Sequence, residues 1–116
     1  FGLGGLLCFP LAARGAAVLV EKATPESLLD AIAQTKATVS FTAPTFYRAM
    51  SLALKKEPQR WRLPSLRASV SAGEALPDAT RMLWRETTGI EMLDGIGATE
   101  MIHIFISAAG DEIRPG

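Results

Sequence analysis

Two short segments of this chain set small residues beside a carboxylate. Ser71-Ala72-Gly73-Glu74-Ala75-Leu76-Pro77 carries one glutamate, and Gly95-Ile96-Gly97-Ala98-Thr99-Glu100 carries another next to a hydroxyl. Small residues let a flat ligand approach the backbone closely. A hydroxyl followed by a carboxylate, as in Thr99-Glu100, suits a phosphate and the Mg²⁺ that accompanies it. Each segment also has a plainer reading: Ala72–Glu74 as a turn before a helix, Thr99-Glu100 as a helix cap. Gly95-Ile96-Gly97 falls short of the dinucleotide fingerprint because Glu100 stands at the third glycine position, and no GxxxxGK[ST] occurs. His103, set between isoleucines, reads first as a buried, hydrogen-bonded side chain. Cys8 and the Met and aromatic positions of 46–54 read as core.

Several function classes are excluded by arithmetic. The 116 residues carry 12 Lys plus Arg against 12 Asp plus Glu, for a net charge of zero. Residues 1–58 hold six basic and four acidic side chains, and 59–116 hold six and eight. Neither half has the basic excess that nucleic-acid binding draws on. One cysteine rules out an internal disulfide, and one histidine beside it argues against structural zinc. The apolar opening FGLGGLLCFPLAARGAAVLV has no basic start, is interrupted by Pro10 and is ended by Arg14. It fits neither a signal peptide nor a membrane span, so the chain is expected to be cytoplasmic with no membrane partner. Starting at Phe1 and stopping at Arg114-Pro115-Gly116, it reads as a piece of something longer.

The elements that must hold the two segments alternate in type. Ala16–Val20 is a short apolar run, expected to be a strand buried on both faces. Thr24-Pro25-Glu26 starts a helix with a hydroxyl cap and a proline at the first position, carrying Leu28, Leu29, Ile32 and Ala33. Thr38–Thr42 predicts a second strand. After Pro44 a helical period brings Phe46, Tyr47, Met50 and Leu54, closing at Lys55–Pro58. Leu66–Ser71 predicts a third strand, Pro77-Asp78 another helix with Met82 and Leu83 on one face, and Gly89 its stop. Glu91–Asp94 predicts a short fourth strand, and Ile102–Ile106 an apolar segment of either type. Such alternation implies βαβ units on a parallel sheet. Ligands of such sheets bind beyond the carboxyl ends of the strands, where both small-residue segments fall.

SAGEALP followed by DGIGATEM resembles the adenylate-forming superfamily of acyl- and aryl-CoA synthetases, luciferases and adenylation domains. FGLGG at the front, TAPTFYRAM, GATEMIHIFIS and the RPG ending extend the resemblance along the whole chain, nearest to the benzoate and aminobenzoate CoA ligase branch. It implies an α/β fold, a parallel-sheet βαβ subdomain with helices on both faces, forming part of a large N-terminal domain. Residues 1–116 would then be one subdomain of a larger enzyme. The implied activity is ligation of an aromatic carboxylate to coenzyme A at the expense of ATP, with Mg²⁺, through an acyl-adenylate. The alternatives are another acid, fatty or amino, or a non-catalytic α/β binding module.

The resemblance also assigns roles. Gly73, Glu74 and Ala75 would line the adenine, with Gly95 and Ile96 beside it, and Asp94 would accept from its amino group. Thr99 would bond the α-phosphate and Glu100 would bind Mg²⁺; these two are the expected catalytic pair. Phe1, Ala72, Gly73, Ile96, Gly97, Ala98 and His103 would wall the acyl pocket. Ile96 departs from the family's usual aromatic at that position and forfeits ring stacking on the base. The chain has no Ser/Thr/Gly-rich loop ending in Pro-Lys-Gly, no Thr-Gly-Asp and no C-terminal lysine domain. Other parts of the same polypeptide are therefore expected partners, a homodimer is compatible, and these residues alone should be inactive.

Overall fold

A computed structural model describes residues 2–108 and Glu112. The chain opens with a π-helical turn, Gly4–Cys8, that runs into α1 (Phe9–Ala12). Then follow α2 (Pro25–Thr35), β1 (Val39–Thr42), α3 (Pro44–Lys56), β2 (Ala68–Ser71), α4 (Asp78–Thr88), β3 (Met92–Gly97) and β4 (Ile104–Ser107). The sheet order is β1-β2-β3-β4, with the first three strands parallel and β4 antiparallel to β3. The fold is α/β, as expected.

Local chemistry accounts for the helix boundaries. At the start of α2, Thr24 Oγ1 accepts from the Ser27 amide at 3.1 Å while Ser27 Oγ accepts from the Thr24 amide at 2.8 Å. This reciprocal box satisfies two donors that a helix start otherwise leaves open, and Pro25 needs no partner there. Helix α4 ends at Gly89, whose φ of +74° is the left-handed stop that glycine adopts without strain. Trp61 Nε1 donates to Asp30 Oδ1 at 2.6 Å and ties the segment after α3 back to α2.

Strand register sorts the sheet's two faces. Ser40 lies opposite Ser69, and Ser69 opposite Met92. On this face the small serines leave room for aromatic side chains from α3 and α4. Trp84 is fully buried, and its indole N–H donates to Ser69 Oγ at 3.0 Å. Tyr47, also fully buried, donates its hydroxyl to the Ser40 carbonyl at 2.9 Å and lies 3.1 Å from that of Val70. The two rings meet edge to face at 4.8 Å between centroids, the geometry aromatic quadrupoles favour. Leu29, Ile32, Met50, Leu54, Trp61, Leu66 and Met92 complete this core. Phe41, one residue on from Ser40, points to the other face, where the π-helical turn packs on it at Gly5.

Four expectations need correction. Ala16–Val20 is not a strand, and only Val20 is half-buried. A cavity of about 610 Å³ lies between this run and β1, lined by Ala17 and Val18 on one side and Val39 and Phe41 on the other. Its backbone therefore does not reach the spacing of a ladder. Cys8 is exposed rather than core, because the helical turn buries only Gly4 and Gly5. Met82 is exposed as well; α4 buries Thr80 and Trp84, four residues apart on one stripe, with Leu83 half-buried. Glu91–Asp94 understates its strand: β3 continues through Gly95, Ile96 and Gly97, and Ile104–Ser107, which overlaps the last expected segment Ile102–Ile106, pairs with it.

Burial of the Tyr47 phenol raises its pKa from 10.0 to about 12, against the lowering influence of its hydrogen bonds to Ser40, Ser69, Val70 and Thr42. Between those values the folded chain keeps a proton that the unfolded chain releases. Its stabilising contribution is thus complete below pH 10 and is lost as pH rises toward 12. The two-unit gap corresponds to a loss on the order of 2–3 kcal/mol. Urea unfolding of the protein and of Tyr47→Phe from pH 8 to pH 12 checks this. The wild-type midpoint should fall more steeply above pH 10 than that of the variant.

Candidate functional site

The parallel strands bring three chain segments to one end of the sheet. Thr42, Ser71 and Asp94 stand side by side in register. Beyond Ser71 the chain leaves the sheet as a loop, with Ala72 buried and Gly73 at a φ of +89°, a conformation that suits glycine. Glu74 is exposed, and its Oε2 accepts from Thr45 Oγ1 at 2.6 Å. Thr45 lies in the first turn of α3, so the Glu74 carboxylate is held where the helix dipole favours a negative charge. Asp94 is half-buried next to Ser71, and its backbone carbonyl accepts from Ser107 Oγ at 2.7 Å. The buried Ser71 Oγ has no hydrogen-bond partner among the described residues.

Gly95, Ile96 and Gly97 do not form a loop as expected; they are strand, paired with Ser107, Ile106 and Ile104, with a bulge between Ile96 and Gly97. Glycine is required at two of the three positions. A Cβ on Gly95 would lie 2.9 Å from Ile104 Cδ1 and nearer still to Ile104 Cγ2. One on Gly97 would lie 2.9 Å from the His103 carbonyl oxygen. Ile96 is exposed, opposite Ile106. Ala98 then leads into a single 3₁₀ turn, Thr99–Met101, which no side chain caps, so the helix-cap reading of Thr99-Glu100 does not hold. Thr99 and Glu100 are both exposed.

His103 follows Ile102, whose φ is +69°, a value that β-branched residues avoid. The histidine is turned inward and is 9% exposed. Its ring meets Phe9 edge-on at 4.5 Å and Phe41 at 5.8 Å. The structure thus brings Gly97 and His103 together and sets Ala72, Gly73, Glu74 and Ala75 in the loop beginning beside Asp94. Phe1 lies outside the described residues. Thr45 and Phe41 belong to this end of the sheet as well. Neither carries a chemical signal in the sequence, since only the fold places them next to Glu74 and His103.

Among the described residues, no three of His, Cys, Asp and Glu converge on one point. Glu100 is therefore a donor outside any such three-residue group among the described residues. Such a donor fits a Mg²⁺ that keeps most of its waters and arrives on phosphate oxygens, rather than a cation held in an all-protein cage. No helix among the described residues is long and apolar enough to cross a membrane.

The model of the AMP-binding enzyme family matches residues 1–116. The chain belongs to that family. Its sequence is 40% identical over 117 residues to a benzoate–CoA ligase of Thauera aromatica, covering 100% of this chain and 22% of the relative. It is 35% identical over 108 residues to a 4-hydroxybenzoate–CoA/benzoate–CoA ligase of Rhodopseudomonas palustris, covering 92% and 20%. An anthranilate CoA ligase solved in complex with anthranoyl-AMP superposes with a TM-score of 0.90 at 46% identity, over 100% of this chain and 22% of that one. A benzoate CoA ligase from Burkholderia xenovorans LB400 superposes at 0.84 with 35% identity, over 100% and 24%. The chain thus spans about a fifth of the length of these family members.

The glycines of β3 give a direct check on this geometry. Gly95→Ala should prise β4 away from β3 and speed amide hydrogen exchange at Ile104 and Ile106 by about tenfold or more, through local opening. Gly2→Ala, with nothing within 4 Å of the added carbon, should leave those amides as they are. Exchange measured by mass spectrometry on both variants distinguishes the two.

Proposed function

We propose that this chain is the part of an ATP-dependent aryl acid–CoA ligase that holds one side of the nucleotide and much of the acyl pocket. The observation that carries the reading is the placement of both small-residue segments at the carboxyl end of one parallel sheet. It is joined by whole-chain similarity to ligases named for benzoate and anthranilate. In this reading residues 1–116 are a single α/β subdomain of a larger enzyme.

The first step joins a carboxylate to the α-phosphorus of ATP and expels pyrophosphate; CoA thiol then displaces AMP from the acyl-adenylate. Two anions meet in the first step, so alignment and charge neutralisation matter more than a general base. The Gly73–Ala75 backbone lines the adenine, with Thr45 holding the loop through Glu74. Asp94 accepts from the adenine amino group, and Gly95 and Ile96 cover its face. Thr99 donates to the α-phosphate. Glu100 would hold the Mg²⁺ that accompanies ATP, and that ion would supply neutralisation of phosphate charge. Ala72, Gly73, Ile96, Gly97, Ala98 and His103 wall a slot for a flat ring. A phosphate-binding loop and a lysine come from elsewhere in the polypeptide.

Glu100→Gln in the full-length protein should lower kcat by about 10²–10³ with little change in the acid's KM, since the charge it removes matters most in the transition state. A raised KM for the acid at unchanged kcat would make Glu100 a pocket residue instead. The substrate class is tested by acid-dependent pyrophosphate exchange with benzoate, 2-aminobenzoate and octanoate. Preference for either aromatic acid is expected; preference for octanoate would remove the aryl assignment.

A further inference from the structure

The N-terminal FGLGG segment has no role in the nucleotide chemistry, yet two of its glycines are buried against the site. A Cβ on Gly4 would lie 2.6 Å from His103 Nδ1, 2.8 Å from its Cγ and 2.9 Å from its Cβ. A Cβ on Gly5 would lie 3.0 Å from Cδ1 of Phe41, itself a ring neighbour of His103. Gly2, two residues before Gly4, has nothing within 4 Å. The close contacts of Gly4 include His103 Cβ, which no side-chain rotation can move away. Accommodating a methyl group there requires the backbone at 103, or the helical turn, to shift.

From the opposite side the backbone drives the same ring inward. Ile102 is held at a φ of +69°, and that unfavourable turn delivers His103 into the space Gly4 leaves open. Phe9, further along the same helix, closes the ring's edge at 4.5 Å. Strain in the backbone of a β-branched residue persists only when its surroundings enforce it. Here they are the β3–β4 pairing on one side and the glycine seat on the other.

We propose that Gly4 is a specificity-determining positioning residue: its missing side chain forms the seat that fixes the His103 imidazole, and through it the polar point at which a ring substituent of the acid is read. This rests on the reading of His103 as an acyl-pocket wall. A polar group held in place discriminates a substituted ring from a bare one far better than an apolar slot can. A displaced imidazole loses that discrimination, while the adenine-lining loop Gly73–Ala75 follows β2 and is not part of the turn that carries His103.

The test uses the full-length protein and the ratio of kcat/KM for 2-aminobenzoate to that for benzoate. Gly4→Ala should change this ratio by about tenfold or more, in the same direction as His103→Ala, with the KM for ATP within about twofold of wild type. Gly2→Ala should change neither. If Gly4→Ala folds and its ratio equals that of wild type, the seat is packing alone and the proposal falls, while the ligase reading stands. If Gly4→Ala does not fold, Phe41→Leu decides, since it loosens the ring by making space: a shifted ratio supports the proposal and an unchanged one overturns it. A wild-type protein that activates neither aromatic acid overturns the ligase reading and this proposal together.

Discussion

Everything at the carboxyl end of the sheet depends on two buried aromatic residues resting on serines. Tyr47 and Trp84 come from α3 and α4, touch each other edge to face, and reach Ser40 and Ser69 through their polar atoms. Each ring supplies a large apolar area, and each polar tip finds a partner, so neither leaves an unsatisfied group in the core. The contact determines how far α3 and α4 stand from β1 and β2. That distance sets where the loop from Ser71 to Pro77 runs and lets Thr45 of α3 meet Glu74. Larger residues at 40 and 69 would push both helices outward and undo that meeting.

On the other face, and along the β3–β4 seam, the governing factor is the absence of side chains. Gly95 and Gly97 admit β4; Gly4 and Gly5 admit the imidazole of His103 and the ring of Phe41. Protein interiors are packed densely enough that one extra carbon at such a contact has to displace something. The small residues therefore serve two ends. Some bring backbone close to where a flat ligand would lie, and others bring one element of the protein close to another. Composition does not distinguish these uses, whereas the atoms facing each glycine do.

Many large apolar side chains face outward, among them Leu6, Leu7, Phe9 and Leu11 on the N-terminal helix and Met101, Phe105 and Ile106 near β4. Single exposed apolar residues are ordinary, but groups of this kind mark surfaces that another part of a protein covers. A chain spanning about a fifth of its relatives' length has such surfaces on the elements that bracket His103.

The sequence by itself determined the features whose causes lie within a few residues of each other. Thr24-Pro25 with Ser27, Pro44 and Gly89 mark helix ends through a cap, a missing N–H and a left-handed stop, all local effects, and each boundary falls where these residues place it. The order of β1, β2 and β3 with α3 and α4 between them, and so the end of the sheet at which both small-residue segments lie, followed from the same signals together with the family resemblance. Tertiary structure decided whatever depends on a neighbour far along the chain. Ala16–Val20 has the composition of a strand but lies across a cavity from β1, and a strand exists only through its partner's hydrogen bonds. Gly95–Gly97 has the composition of a loop but becomes strand because Ile104–Ser107 pairs with it. His103 reads as a buried histidine from its apolar neighbours; which rings and glycines bury it was decided by contacts spanning most of the chain, from Gly4 to residue 103.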